Sequence, residues 1–225
     1  MRADCHILWR FSLPAFLSCT LSGPANWICT TYLANQDQGY KEVALINAAG
    51  QWRNFLIFLP MTMTSVLVPM FSSLYHEGKR EEFETLLRRN MLINVGICLG
   101  LAVPLGLFAR TIMNLYGAGF GVGVPVFLLT LSGTAVTAAA NLFSRAMQAT
   151  GRARLEMTFA GLWAVVLILG CLILIPPYKA VGMATAHVLA VFVVLVWQWR
   201  LVQRLFAKTD TMQMASALPD ANPPG

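Results

Sequence analysis

Amide side chains recur at helical spacing between residues 47 and 54, inside a long apolar segment. Asn47, Gln51 and Asn54 are four and three positions apart, so one face of a helix would carry all three. Arg53 lies beside them and is the one charged residue in a run of more than thirty. An arginine in such a segment is costly unless it reaches water or an anion, which makes Arg53 a candidate ligand for an anionic group. The alternative is a side chain that extends to the membrane interface.

Two further polar residues stand in apolar surroundings. Asn26 follows Pro24, which frees a backbone carbonyl, and it could line a cavity or form a hydrogen bond to another helix. Arg145 shares a helical stripe with Asn141 and Gln148 at the end of a later apolar run. Arg145 either anchors that end at the cytoplasmic interface or contacts a phosphate. Together these patterns predict a substrate-binding set of Arg53, Gln51, Asn47, Asn54, Asn26 and Arg145.

Sequence patterns of catalysis and metal binding are not found. There is no H-E-x-x-H motif, no P-loop and no C-x-x-C pair, and the three histidines are far apart. The five cysteines read as small apolar residues. Nine of the ten acidic residues fall in predicted loops or tails, and Glu156 opens a predicted helix, which disfavours a proton relay or a sodium site. We therefore predict no catalytic centre, no metal and no cofactor, and a protein that is not an enzyme.

The elements that must position these residues are membrane spans. Hydrophobic residues make up 57% of the 225 residues and charged residues only 12%, which a water-soluble fold of this size could not accommodate. Uncharged runs predict an all-α, polytopic bundle (residues 1–208) of six transmembrane helices at about 11–34, 43–75, 90–110, 123–149, 156–176 and 180–203. The first run exceeds a typical signal-peptide core, so we expect it to be retained. Residues 78–89 predict a short amphipathic connector, and residues 209–225 a disordered cytoplasmic tail.

Lysine and arginine residues alternate in density between successive loops. Twelve fall on one side of the predicted spans and three on the other, with Arg53 left inside the membrane. Because cytoplasmic loops are enriched in these residues, both termini are predicted to be cytoplasmic. The formal net charge of +6 has the same origin, and we predict no nucleic-acid partner.

Four short segments resemble bacterial polysaccharide exporters when taken in order. They are Gly39-Tyr40 followed by residues 47–53, residues 58–60 followed by 67–74, residues 115–120, and residues 146–152. Over roughly residues 10–200, the chain is similar to the superfamily that joins MATE multidrug exporters with Wzx-like flippases of lipid-linked oligosaccharides. The resemblance implies the C-terminal six-helix half of a transporter whose two bundles face each other across a central cavity.

The resemblance also implies a substrate and partners. Such proteins move undecaprenyl-pyrophosphate-linked oligosaccharide across the bacterial inner membrane for surface polysaccharide or O-antigen synthesis. We expect membrane lipids and a second six-helix half, or another copy of this chain, as partners. Three alternatives stay open: a MATE-type drug or cation antiporter half, a polyprenyl-sugar polymerase or ligase, and a non-transporting remnant. The short predicted external loops disfavour the enzyme, and the missing mid-membrane carboxylate disfavours the antiporter.

Overall fold

A computed structural model describes the backbone of residues 13–117, 119–149, 151 and 153–217, and the side chains of residues 20–117, 119–149, 151 and 155–201. Every regular element in these ranges is helical, which confirms the predicted fold class. The helices are α1 (Leu13–Ala34), α2 (Gly39–His76), α3 (Arg80–Leu107), α4 (Ala109–Leu115), a 3-10 turn (Phe120–Gly123), α5 (Val124–Ala149) and α6 (Ala153–Ala217).

Four segments of the described chain are long and apolar enough to cross a membrane. They are Gly39–His76, Arg80–Leu107, Phe120–Ala149 and Leu155–Leu201. The last has 47 residues and contains a reversal at Lys179, so it supplies two crossings. With α1, whose first residues lie outside the described side chains, the bundle has six long helical segments.

Several boundaries differ from those expected from the sequence. The amphipathic segment 78–89 is not a separate connector, because α3 begins at Arg80 and continues without interruption to Leu107. The backbone then breaks at Phe108, and the short helix α4 follows where residues 108–110 were expected to end the span. Helix α6 continues to Ala217, so residues 209–217 are helical instead of disordered, and residues 218–225 lie outside the described chain.

Helix α5 lies at the centre of the bundle. It packs against α2, α3 and α6, and it carries a high share of small buried residues, such as Gly133, Ala138 and Ala139. Small side chains let helix backbones approach closely in a membrane. A Cβ atom at Gly133 would lie only 2.7 Å from a methyl group of Val188, so glycine is required for this contact. Helix α5 therefore forms the wall against which the other helices are positioned.

The two halves of α6 form an antiparallel hairpin with almost no loop. Lys179 alone leaves the helical conformation, with φ 49° and ψ −124°. Gly182 then lies so close to the first half that an added Cβ would be 2.1 Å from the carbonyl oxygen of Leu174. The carboxylate of Glu42 in α2 accepts a hydrogen bond from the backbone N–H of Ala180 at 3.2 Å. This contact fixes the turn of the hairpin to the start of α2.

The turn between α2 and α3 is held by a small network of side chains. The hydroxyl of Ser73 donates to Glu77 at 2.6 Å, and the ammonium group of Lys79 lies 2.9 Å from the same carboxylate. These two contacts hold the pKa of Glu77 below its ordinary value, the Ser73 hydrogen bond being the larger cause.

Large apolar side chains cover the outer surface of the bundle. Phe55, Phe58 and Val66 in α2 are each about two-thirds exposed or more (67%, 69% and 70%), as are others on α3 and α6. In water such a surface would be unstable, but lipid chains solvate it. Several polar side chains of α1, α2, α5 and α6 instead line a cavity between these helices.

Candidate substrate-binding cavity

A cavity in two adjoining parts lies between α1, α2, α5 and α6. The parts have volumes of about 550 Å³ and 360 Å³, and six residues line both: Asn26, Arg53, Asn54, Thr137, His187 and Val191. We name the larger part the Gln51 chamber, because it also contains Asn47 and Gln51. We name the smaller part the Gln198 chamber, because it contains Ser144, Glu156, Trp163 and Gln198.

The length of the cavity follows from the helix positions that line it. On α5 the lining residues extend from Thr130 in the Gln51 chamber to Ser144 in the Gln198 chamber. At 1.5 Å per residue, these positions are about 21 Å apart along the helix axis. The cavity is therefore long enough to cross most of the hydrocarbon layer, and a bulky head group could occupy both chambers at once.

Arg53 lies at the junction of the two chambers and is half-buried. No carboxylate among the described side chains lies within ion-pair distance of its guanidinium group, and no hydrogen-bond partner is found there either. A guanidinium group presents five donors in a planar fork suited to phosphate or carboxylate. The geometry thus provides a positive charge in the middle of the cavity that is free to bind an anion.

The four predicted amides line the same cavity as Arg53. Asn26 donates to the backbone carbonyl of Ser22 at 2.8 Å, while Asn47 and Asn54 are not engaged with any other described residue. Gln51 accepts a hydrogen bond at 3.1 Å from the hydroxyl of Tyr116. Five of the six residues predicted from the sequence are thus brought together.

Tyr116 contacts Gln51, Trp52 and Phe120, and we name this set of contacts the latch. Its hydroxyl donates to Gln51 and accepts from the indole N–H of Trp52, both at 3.1 Å. Its ring stacks on Phe120, with centroids 6.0 Å apart. The latch joins α2 to the segment after α4, so two of the motifs noted in the sequence meet here.

The sixth predicted residue, Arg145, does not line either chamber. It is exposed, and its guanidinium group donates to the side-chain oxygen of Gln148 at 3.1 Å. Gln148 in turn donates to the carboxylate of Glu156, which does line the Gln198 chamber. Arg145 therefore contacts the cavity through two intervening side chains instead of directly.

The Gln198 chamber contains residues that the sequence did not single out for binding. Trp163 and His187 meet edge to face, with ring centroids 5.5 Å apart. Gln198 is 1% exposed and donates to the hydroxyl of Ser144 at 3.0 Å. These residues lie on α5 and on both halves of α6, so no spacing within one helix predicts that they meet.

The described residues contain no group of three or more His, Cys, Asp or Glu side chains that could hold a metal ion. Glu156 is the one carboxylate among the described residues that line the two chambers. The arrangement can bind and orient a polar or anionic molecule by hydrogen bonds and charge.

The fold and cavity define a class: a multi-pass membrane protein with the fold of one half of a MOP-superfamily transporter. Three solved structures carry this fold with a TM-score of 0.74. They are a MOP-superfamily transporter from Pyrococcus furiosus (15% identical, over 88% of this chain and 45% of that one), the lipid II flippase MurJ in an inward closed conformation (14%, over 90% and 44%), and an outward-facing multidrug resistance MATE transporter (14%, over 88% and 45%).

Among curated proteins, the chain is similar to the EPS I polysaccharide export inner membrane protein EpsE of Ralstonia nicotianae and of Ralstonia solanacearum. Each is 24% identical over 169 residues, which are 74% of this chain and 38% of the relative. The chain thus spans less than half the length of these relatives. No family model matches it. The comparisons confirm the resemblance to the exporter superfamily, and none of these relatives is named as an enzyme.

Proposed function

We propose that this chain forms one half of a membrane transporter that moves an undecaprenyl-pyrophosphate-linked oligosaccharide across the bacterial inner membrane. The observation that carries the proposal is Arg53, which has no ion-pair or hydrogen-bond partner in the described part of the chain and lines both parts of a cavity that also contains four amides. A pyrophosphate cannot cross hydrocarbon unaided, because transfer of its charge out of water is very costly. A cavity that offers a guanidinium group and several amide groups lowers that cost.

The relatives support the class of substrate. EpsE is named for polysaccharide export and MurJ for flipping lipid II, a lipid-linked molecule. Undecaprenyl-linked sugars combine an anionic link with a hydroxyl-rich head, and the cavity offers partners for both. The product would serve surface polysaccharide or O-antigen synthesis.

The proposal includes an orientation and a partner. The lysine and arginine pattern favours an orientation with both termini in the cytoplasm, and in that orientation the Gln198 chamber faces the cytoplasm as well. Because the solved transporters are more than twice as long as the matched region, the cavity is completed by a second six-helix half or by another copy of this chain. Membrane lipids surround the assembly.

The competing proposal is a drug or cation antiporter half, which the fold of the MATE structure also allows. A positive side chain in the cavity disfavours a cationic substrate. The one carboxylate among the described lining residues, Glu156, already accepts a hydrogen bond from Gln148.

Deletion of the gene in the source bacterium tests the proposal. We expect loss of surface polysaccharide and accumulation of its lipid-linked precursor, both restored by the wild-type chain but not by Arg53→Gln. Normal polysaccharide in the deletion strain, together with lost efflux of cationic dyes, would reject the flippase in favour of the antiporter. Loss of neither activity would support a non-transporting remnant.

A further inference from the structure

We infer that the Gln198 chamber is a binding subsite for a neutral sugar residue, separate from the anion-binding position at Arg53. The inference rests on the proposed function, since it names where the sugar of a lipid-linked substrate would bind. It starts from a buried acceptor that has no partner.

Gln198 is the residue that points to a ligand. Its side chain is 1% exposed, and its Oε1 atom has no hydrogen-bond donor among the described residues. Its Nε2 atom already donates to the hydroxyl of Ser144 at 3.0 Å. A buried acceptor without a partner costs about 1–3 kcal/mol.

The surroundings of Gln198 suit a hydroxyl-rich ligand. Asn141 offers an amide, Ser144 a hydroxyl and Glu156 a carboxylate, and all three line the same chamber. Hydroxyl groups both donate and accept, so a sugar can satisfy donors and acceptors that face one space. A phosphate offers acceptors alone and would repel Glu156, which places the anionic link of the substrate at Arg53 instead.

Trp163 supplies an apolar surface beside these polar groups. It is half-buried in the chamber wall, and its edge-to-face contact with His187 fixes its orientation. An aromatic ring next to amide and carboxylate groups matches a sugar ring, which has apolar C–H faces and a polar rim. The chamber volume of about 360 Å³ exceeds the space needed by a few water molecules and accommodates a monosaccharide.

The Oε1 atom of Gln198 is buried, so a ligand in the chamber can contact it only if the amide moves. The terminal torsion of a glutamine side chain is soft, so rotation about it costs little. A sugar hydroxyl that donates to Oε1 removes the unsatisfied acceptor. The free energy of this hydrogen bond is gained only when a sugar hydroxyl is present. A lipid that carries a sugar should therefore bind more tightly than the same lipid without one.

Two probes test the inference on the full chain in lipid nanodiscs: undecaprenyl pyrophosphate, and the same lipid carrying one N-acetylhexosamine. Binding of each probe is measured by titration calorimetry. We expect the sugar to tighten binding by about tenfold, the value of one good hydrogen bond to a buried acceptor. Gln198→Leu should abolish this tightening and leave binding of the bare lipid unchanged. The matched control Gln51→Leu, at the other end of the cavity, should retain the tightening.

The outcomes separate this inference from the proposed function. Binding of the bare lipid without any effect of the sugar, or tightening that survives Gln198→Leu or is lost equally in Gln51→Leu, overturns the sugar subsite alone. Failure of the bare lipid to bind while the sugar-bearing lipid binds rejects the anion-binding role of Arg53 and keeps the subsite. Binding of neither probe rejects both.

The unfolding temperature of Gln198→Leu distinguishes a loss of ligand binding from a folding defect. Leucine is close in volume to glutamine, and the substitution removes both the unsatisfied acceptor and the hydrogen bond to Ser144, two effects that offset each other, so Gln198→Leu should unfold close to the wild-type temperature. An unfolding temperature well below that of the wild type would show that the amide serves the packing of α6 against α5, which overturns its role as a ligand group.

Discussion

Replacing Arg53 by glutamine tests the central charge of the cavity most directly. Glutamine keeps a polar side chain and removes the positive charge and the planar donor fork. Hydrogen bonds to charged groups contribute about 1.5–3 kcal/mol each, so loss of one contact to a pyrophosphate should weaken binding by about 10- to 150-fold. The measurement is titration of undecaprenyl pyrophosphate into the full chain in neutral lipid nanodiscs.

The same substitution should not destabilise the fold. Among the described residues Arg53 has no ion-pair or hydrogen-bond partner to lose, and it is half-buried in an apolar helix. Its removal relieves a desolvation cost, so the unfolding temperature of Arg53→Gln should equal or exceed that of the wild type.

Arg110→Gln is the matched control, because Arg110 is exposed on α4 and lies outside the cavity. It removes the same charge but should change binding less than twofold, since exposed charges are screened by salt. Equal losses in the two variants would mean that the lipid senses the net charge of the protein. A large drop in unfolding temperature for Arg53→Gln would assign the side chain to the fold. Either result would refute the reasoning.

Three further predictions concern stability and titration. Gly182→Ala should destabilise the α6 hairpin by more than about 2 kcal/mol because its Cβ would overlap a backbone carbonyl, whereas Gly161→Ala, with no atom within 4 Å, should be neutral or stabilising by up to about 1 kcal/mol in thermal unfolding. Tyr116→Phe removes both latch hydrogen bonds and should cost about 1–2 kcal/mol; an unchanged unfolding temperature would show that the latch is not formed. The carboxyl of Glu77, followed by NMR, should titrate below 4.5, and Ser73→Ala should move the midpoint up towards that value. Because the folded-state pKa is lowered, the stabilisation is present above the ordinary pKa and is lost as pH falls through the folded-state pKa.

Sequence periodicity was sufficient to place the amides of α2 on one face. Asn47, Gln51 and Asn54 do line one cavity in the structure. Arg53 points well away from Gln51 on a helical wheel, yet it lines the same cavity. Its side chain is long enough to reach the place where the two chambers adjoin. Residue spacing alone predicted which face of α2 carries the amides. It did not predict that the cavity also extends to the face that carries Arg53.

Other features could not be predicted because they depend on contacts between distant segments. Gln51 and Tyr116 are 65 positions apart and meet only after α4 folds back on α2. Gln198 lies between Trp197 and Trp199 and two residues before Arg200, so its sequence context fits the polar end of a span and does not mark it as a binding residue. The continuity of α3 was missed because the charged residues before position 90 match a surface connector, although they also extend a helix beyond the lipid.

The one-residue reversal at Lys179 sets how a rotation of the second half of α6 would change the cavity along its length. The two halves are joined there with almost no loop, and Glu42 ties the joint to α2. A rotation of the second half about this turn would therefore move its far end most. Gln198 is nineteen residues from the pivot, or about 28 Å, whereas Met183 is about 6 Å away. A rotation of about 5° would shift the wall of the Gln198 chamber by roughly 2.5 Å and that of the Gln51 chamber near the turn by roughly 0.5 Å, so movement at this joint would change the width of the Gln198 chamber and leave the Gln51 chamber almost unchanged.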